Sequence, residues 1–276
     1  MSEIMNLYYR EKGKGIPIII LHGLYGCSDN WMYIAGILSE KYRVIAVDCR
    51  NHGNSPHSNT HTYSEMVTDL AWLFNDLDIE KAHVLGHSMG GKLAMAFAAD
   101  YPEKIISLTV VDIAPKNYLD SPASEIHYAM HKNILDTLYN LDLKEYSSRK
   151  EIEKEIEKTI SDNFIRGFIL KNLKRAGKGY EWKINVPVLR ANLDHILHGV
   201  DISEYEDRLP MTNYPVLFIR GGLSDYIRES DFQDIRKMYP QAIISTIENT
   251  THYLPSEKPD EFASVYLNFL KECYQI

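Results

Sequence analysis

Six short apolar runs, most of them rich in β-branched residues, recur along the chain at positions 16–21, 42–48, 82–86, 106–112, 216–221 and 242–247. Each is nearly continuous in apolar character and too short for a helix, which predicts strands buried on both faces of a parallel sheet. Between them the period changes. Tyr63, Met66, Val67, Leu70, Ala71, Phe74 and Leu77 recur at helical spacing behind a Thr62/Glu65 capping box, which predicts an amphipathic helix. Similar stripes follow Ser28 (Trp31, Ile34, Ala35, Leu38) and the Pro259-Asp260-Glu261 opening (Phe262, Val265, Tyr266, Phe269), where proline and acidic residues favour a helix start. Strand and helix alternate, so the pattern predicts an α/β fold with a mostly parallel central sheet flanked by helices.

One connection is out of scale. Between Asp112 and Val216 lie 103 residues, where a crossover helix needs only about a dozen. The stretch carries helical patterns at 126–141 and 152–173, the second with Glu151/Lys154 and Glu155/Lys158 pairs on its polar face. We read residues 117–207 as an inserted helical cap and residues 1–116 with 208–276 as the core domain. The chain shows no internal repeat or flexible linker, so the cap is expected to pack on the core.

The composition changes this picture little. Of 276 residues 45% are hydrophobic, and 30 basic against 38 acidic side chains give a net charge of -8. That balance, without a basic patch, argues against a nucleic-acid partner. Cys27, Cys49 and Cys273 lack disulfide or zinc spacing and read as free thiols of a reducing compartment. No apolar stretch approaches the length of a membrane span and the first fifteen residues lack a signal core, so a cytoplasmic location is expected.

Candidate chemistry begins at Gly86-His87-Ser88-Met89-Gly90, a G-x-S-x-G match. The pattern is weak alone and gains force from its setting, a strand before it and the small-residue helix 93–99 after it, as a nucleophile elbow requires. His22-Gly23-Leu24-Tyr25-Gly26 follows the first predicted strand. A turn there aims backbone amides at the serine, and Leu24 and Met89 are the natural oxyanion-hole pair. Tyr25 and His87, beside these two turns, are candidate substrate contacts. His252 comes last in chain order, in a polar loop after the final strand, where the general base of such an architecture belongs. Two carboxylates compete for the orienting role, Asp112 and Asp225, both at strand ends. Asp48 to Gly53 reads as a hydrogen-bonded loop buttressing the site. His52, His57 and His61 lack metal-ligand spacing, and no glycine-rich phosphate loop follows a strand, so neither a metal nor a nucleotide cofactor is expected.

With these motifs in this order, the chain resembles the α/β-hydrolase superfamily over nearly its whole length, and within it the small YbfF-type esterases. The matching stretches are His22 to Gly26 with Asp29-Asn30-Trp31, then Asp48 to His57, Leu85 to Lys92, Val110 to Pro115 and Phe218 to Ser224. The resemblance implies a serine hydrolase acting on small-molecule carboxyl esters, or acyl thioesters, with the cap shaping the acyl pocket; an apolar pocket there would take medium or long acyl chains. It also implies Asp112 as the acid and Ser224 as a support for the histidine. Two departures stand out. Asp225 follows Ser224 at the position many other α/β-hydrolases use for the acid, so both carboxylates remain candidates. Thr251 replaces the glycine that usually precedes the histidine. The rival readings are a lyase or carbon-carbon hydrolase with the same triad, or a ligand-binding pseudo-enzyme. The sequence leaves the oligomeric state open.

Overall fold

A computed structural model describes residues 4–120 and 124–273, and the six predicted runs all lie in one seven-stranded sheet. In chain order the first elements are β1 (Tyr9–Lys12), β2 (Pro17–Leu21), α1 (Met32–Leu38), β3 (Arg43–Val47), α2 (Tyr63–Asp76), β4 (Ala82–His87), α3 (Met89–Asp100) and β5 (Ile105–Val111). The inserted segment holds α4 (Ser124–Asn140), α5 (Arg149–Glu157), α6 (Asn163–Leu170), a hairpin of β6 (Leu173–Ala176) and β7 (Gly179–Trp182), α7 (Val186–Ala191) and α8 (Leu193–His198). The chain returns through β8 (Val216–Gly221), α9 (Phe232–Met238), β9 (Ile243–Ile247), α10 (Leu254–Glu257) and α11 (Pro259–Glu272).

The sheet order is β1-β3-β2-β4-β5-β8-β9, parallel except where β1 runs against β3. Strand alternation feeds two cores. Ile18 and Ile20 of β2 point with Val44 and Ala46 of β3 toward Leu38 of α1 and Phe262 and Tyr266 of α11. Ile19, Leu21, Ile45 and Val47 point the other way, toward Leu70 and Phe74 of α2 and Phe97 of α3. Ile18 to Leu21 are all fully buried, so each contributes roughly 2 kcal/mol by leaving water.

Three elements differ from the sequence reading. β1 is a short polar edge strand, Tyr9-Arg10-Glu11-Lys12, which carries no apolar signature for a pattern search to find. The stripe expected at 152–173 is two helices, because Asp162 accepts a hydrogen bond from the Ile165 amide at 2.9 Å and starts α6 afresh. The β6–β7 hairpin then turns through Gly177, whose φ of +57° suits a residue without Cβ. Of the two expected charge pairs, Glu155 binds Lys158 at 2.6 Å, while Glu151 accepts instead from the Ser147 amide and hydroxyl. Residues 121–123 of the expected cap lie outside the described residues.

The inserted segment is bonded to the loops at the C-terminal edge of the sheet. Asn185 binds the Asn51 carbonyl through its amide at 2.9 Å and Asn172 reaches the Tyr25 carbonyl at 2.8 Å. Tyr63 of α2 donates to the Ile196 carbonyl at 3.0 Å, and Lys92 of α3 donates to Val200 at 2.5 Å.

Candidate active site

β4 and α3 meet at Ser88, whose φ of +54° and ψ of -118° are rare for a residue with a side chain. Such a conformation costs about 1–3 kcal/mol and persists only where the surroundings enforce it. They do so here. The Ser88 amide donates to the Val111 carbonyl of β5 at 3.0 Å. Two residues on, Gly90 packs so tightly on the end of β2 that a Cβ there would sit 2.3 Å from the Leu21 carbonyl oxygen. Only glycine admits that approach, and the approach is what drives the helix up against the strand and leaves the serine at the crest.

Asp112, one residue beyond β5, also has a left-handed φ, +50°, and its side chain is fully buried. One carboxylate oxygen accepts from the Gly221 amide at 3.0 Å. The other accepts from the Ser224 hydroxyl and lies 2.8 Å from His252 Nδ1. Because a carboxylate only accepts here, Nδ1 carries the proton and Nε2 is left as the basic nitrogen. The Tyr226 ring stacks on the imidazole with centroids 3.8 Å apart. From below, His87 Nε2 donates to the His252 backbone carbonyl at 2.8 Å. Burial, with His252 nearby, pushes the His87 pKa down to about 3, so this ring stays neutral. Asp225 points elsewhere. Half exposed, it binds His127 Nε2 at 3.1 Å and Arg228 at 3.2 Å.

The turn after β2 lies against the elbow, since a Cβ on Gly23 would stand 3.2 Å from the Ser88 Cβ. Leu24 and Met89 line one cavity with Ser88, and the Met89 amide, first in α3, has no intrahelical acceptor to satisfy. His22 holds the turn in place. Its Nε2 accepts from the Cys49 amide at 3.0 Å and its Nδ1 donates to the Gly23 carbonyl at 2.8 Å. The loop 48–53 is anchored by Arg50, which binds Asp69 at 2.6 Å with both side chains almost fully buried. His52 and His57 each bind a backbone carbonyl, of Arg50 and Lys183 respectively.

Residues 16–140 match the family model described as alpha/beta hydrolase fold. The chain is 34% identical to the sn-1-specific diacylglycerol lipase ABHD11 of Danio rerio over 94% of its own length and 80% of that protein. It is 31% identical to esterase YbfF of Escherichia coli K12, over 93% of each chain. The chain belongs to the α/β-hydrolase superfamily, among the YbfF-type esterases. A solved structure described as a marine microorganism esterase superposes on this α/β hydrolase with a TM-score of 0.88 at 38% identity, covering 96% of this chain and 99% of that one.

Two residues that line or roof the site of this hydrolase, His131 and Tyr226, carry no motif in the sequence, and a third, Lys92, ends the matching stretch Leu85 to Lys92 without a role read for it there. His131 of α4 stands between Tyr25 and Tyr226, with Nδ1 3.2 Å from the Tyr25 hydroxyl and Nε2 3.3 Å from that of Tyr226. Tyr25 is thus a buried residue held from above, and His87 spends its Nε2 on the His252 backbone carbonyl. Tyr226 lines the same cavity as Ser88. Lys92, one turn into α3, is fully buried and donates to the carbonyls of Lys116 and Val200, both at 2.5 Å. Only the tertiary fold brings His131 to the cavity that Ser88 lines.

Proposed function

We propose that this α/β hydrolase cleaves small carboxyl esters through an acyl-enzyme on Ser88. His252 Nε2 takes the hydroxyl proton as Ser88 Oγ bonds to the ester carbonyl carbon, and the oxygen that becomes negative is held by the amides of Leu24 and Met89. The tetrahedral adduct collapses, the carbon-oxygen bond to the alcohol breaks, and His252 returns the proton to the departing alcohol. Water then repeats the attack on the acyl-enzyme with His252 again the base, releasing the acid and restoring Ser88. Asp112 orients the imidazole and balances its transient charge, and the Ser224 hydroxyl holds Asp112 in that pose. Residues 117–207 act as the cap over the reacting atoms. The observation that carries this reading is the 2.8 Å contact of His252 Nδ1 with the buried Asp112, on a loop whose carbonyl is bonded to the residue beside Ser88.

The test is covalent. A fluorophosphonate should add one adduct to the intact mass of the native protein and none to Ser88→Ala. An unlabelled native protein, or equal labelling of the two, overturns the assignment.

A further inference from the structure

Two cavities of very different size meet at Tyr226, which lines both. The first, walled by Ser88 with Leu24, Met89, Ile113, Ile196 and Leu197, has a volume of about 30 Å³. That is small, about two to three times the roughly 10–15 Å³ of space that one water needs. Its roof is tied down by the Tyr25, His131 and Tyr226 contacts. The second opens on the far side of His252, with a volume of about 340 Å³, and reaches the size range of ligand sites. Phe164, Ile165, Leu223 and Tyr253 give it an apolar wall.

The groove also carries charge of one sign. Asp162, Asp225 and Glu257 line it. Asp225 is shared with Arg228. Asp162 caps α6 and Glu257 binds the Thr251 amide and hydroxyl, so both are held in place, exposed and without a basic partner among the described residues.

The chemistry assigns a direction to these spaces, an argument that rests on the reading given under Proposed function. The acyl group stays bonded to Ser88, while the alcohol leaves from beside the imidazole that protonates it. From the two cavities we infer that the substrate is a short-chain acyl ester of a bulky alcohol that is uncharged or cationic. Long acyl chains exceed the small cavity beside Ser88, and polyanionic leaving groups such as coenzyme A meet fixed carboxylates.

The experiment compares 4-methylumbelliferyl acetate, butyrate and decanoate, together with butyrylthiocholine and butyryl-coenzyme A, two thioesters of opposite charge. From butyrate to decanoate kcat/KM should fall on the order of tenfold, the scale of overpacking a small pocket. Butyrylthiocholine should exceed butyryl-coenzyme A by about tenfold or more, a gap that narrows as salt screens it. Ile196→Ala with Leu197→Ala should raise the decanoate-to-acetate ratio, and Asp162→Asn with Glu257→Gln should bring the two thioesters together. Decanoate turned over as fast as butyrate, or thioesters equal at low salt, overturns the inference whatever the variants do. Loss of all ester turnover together with loss of the fluorophosphonate adduct would overturn the underlying esterase reading instead.

Discussion

At the scale of residues, the two aspartates show how similar settings in sequence can lead to very different surroundings in the fold. Both follow strands of the parallel sheet, Asp112 directly after β5 and Asp225 four residues after β8. Asp112 is turned inward by its left-handed φ and fixed by the Gly221 amide, whereas Asp225 faces His127 and Arg228 at the surface. Asp112→Asn should therefore lower kcat on the order of 10⁴-fold by letting the imidazole settle in the wrong tautomer, with Asp225→Asn changing it far less. Steady-state kinetics on one soluble ester decides the ranking, and the reverse order would move the acid to Asp225. Ser88 and His252 were legible because local patterns mark them, an elbow with its glycines and a loop after the last strand. The choice of acid was not, since it depends on a backbone angle and on an amide from a strand 109 residues away. His131 and Lys92 were illegible for the same reason, as their partners lie in other elements.

At the scale of elements, α3 does more than carry the elbow. Its Lys92 joins the chain just before the inserted segment, at Lys116, to its later part at Val200, so one buried ammonium links the departing and returning strands of that excursion. Burial, helped by the like charge of Lys116, holds the Lys92 pKa down to about 7 from 10.5, against the opposing charges of Asp201, Glu204 and Asp231. Between those two values the unfolded chain binds a proton that the folded chain has released, so stability from this group rises with pH across that window. Below pH 7 both states are charged and the burial cost stays constant. Denaturant unfolding of the native protein and Lys92→Met should diverge in favour of the native protein from pH 7 toward 10, by up to about 1.4 kcal/mol per pH unit. Parallel curves would place the neutral form of Lys92 outside this range. The strands of this scaffold were readable because burial on both faces writes continuous apolar runs. The β6–β7 hairpin and the break before α6 were not, because a helical stripe continues on paper through Asp162, and it is a cap hydrogen bond that interrupts it.

At the scale of the whole molecule, the inserted segment and the sheet share one apolar body. Ile134, Leu135 and Leu138 of α4 and Ile152 and Ile156 of α5 belong to the same buried cluster as Ile19 and Ile45 of the sheet. Replacing residues 117–207 with a short Gly-Ser linker should expose that surface and leave protein that sediments as aggregate, with little remaining in the soluble fraction. A soluble, monodisperse remnant that hydrolyses the same esters would show the segment to be dispensable. The contact between His87 and the His252 carbonyl has a consequence of its own. It ties the loop that carries His252 to the residue beside Ser88, 165 residues earlier in the chain. Any loosening of the last strand and its loop on heating therefore shifts the imidazole relative to Ser88. Residual activity after a heat pulse is then a readout of the integrity of this C-terminal part of the sheet.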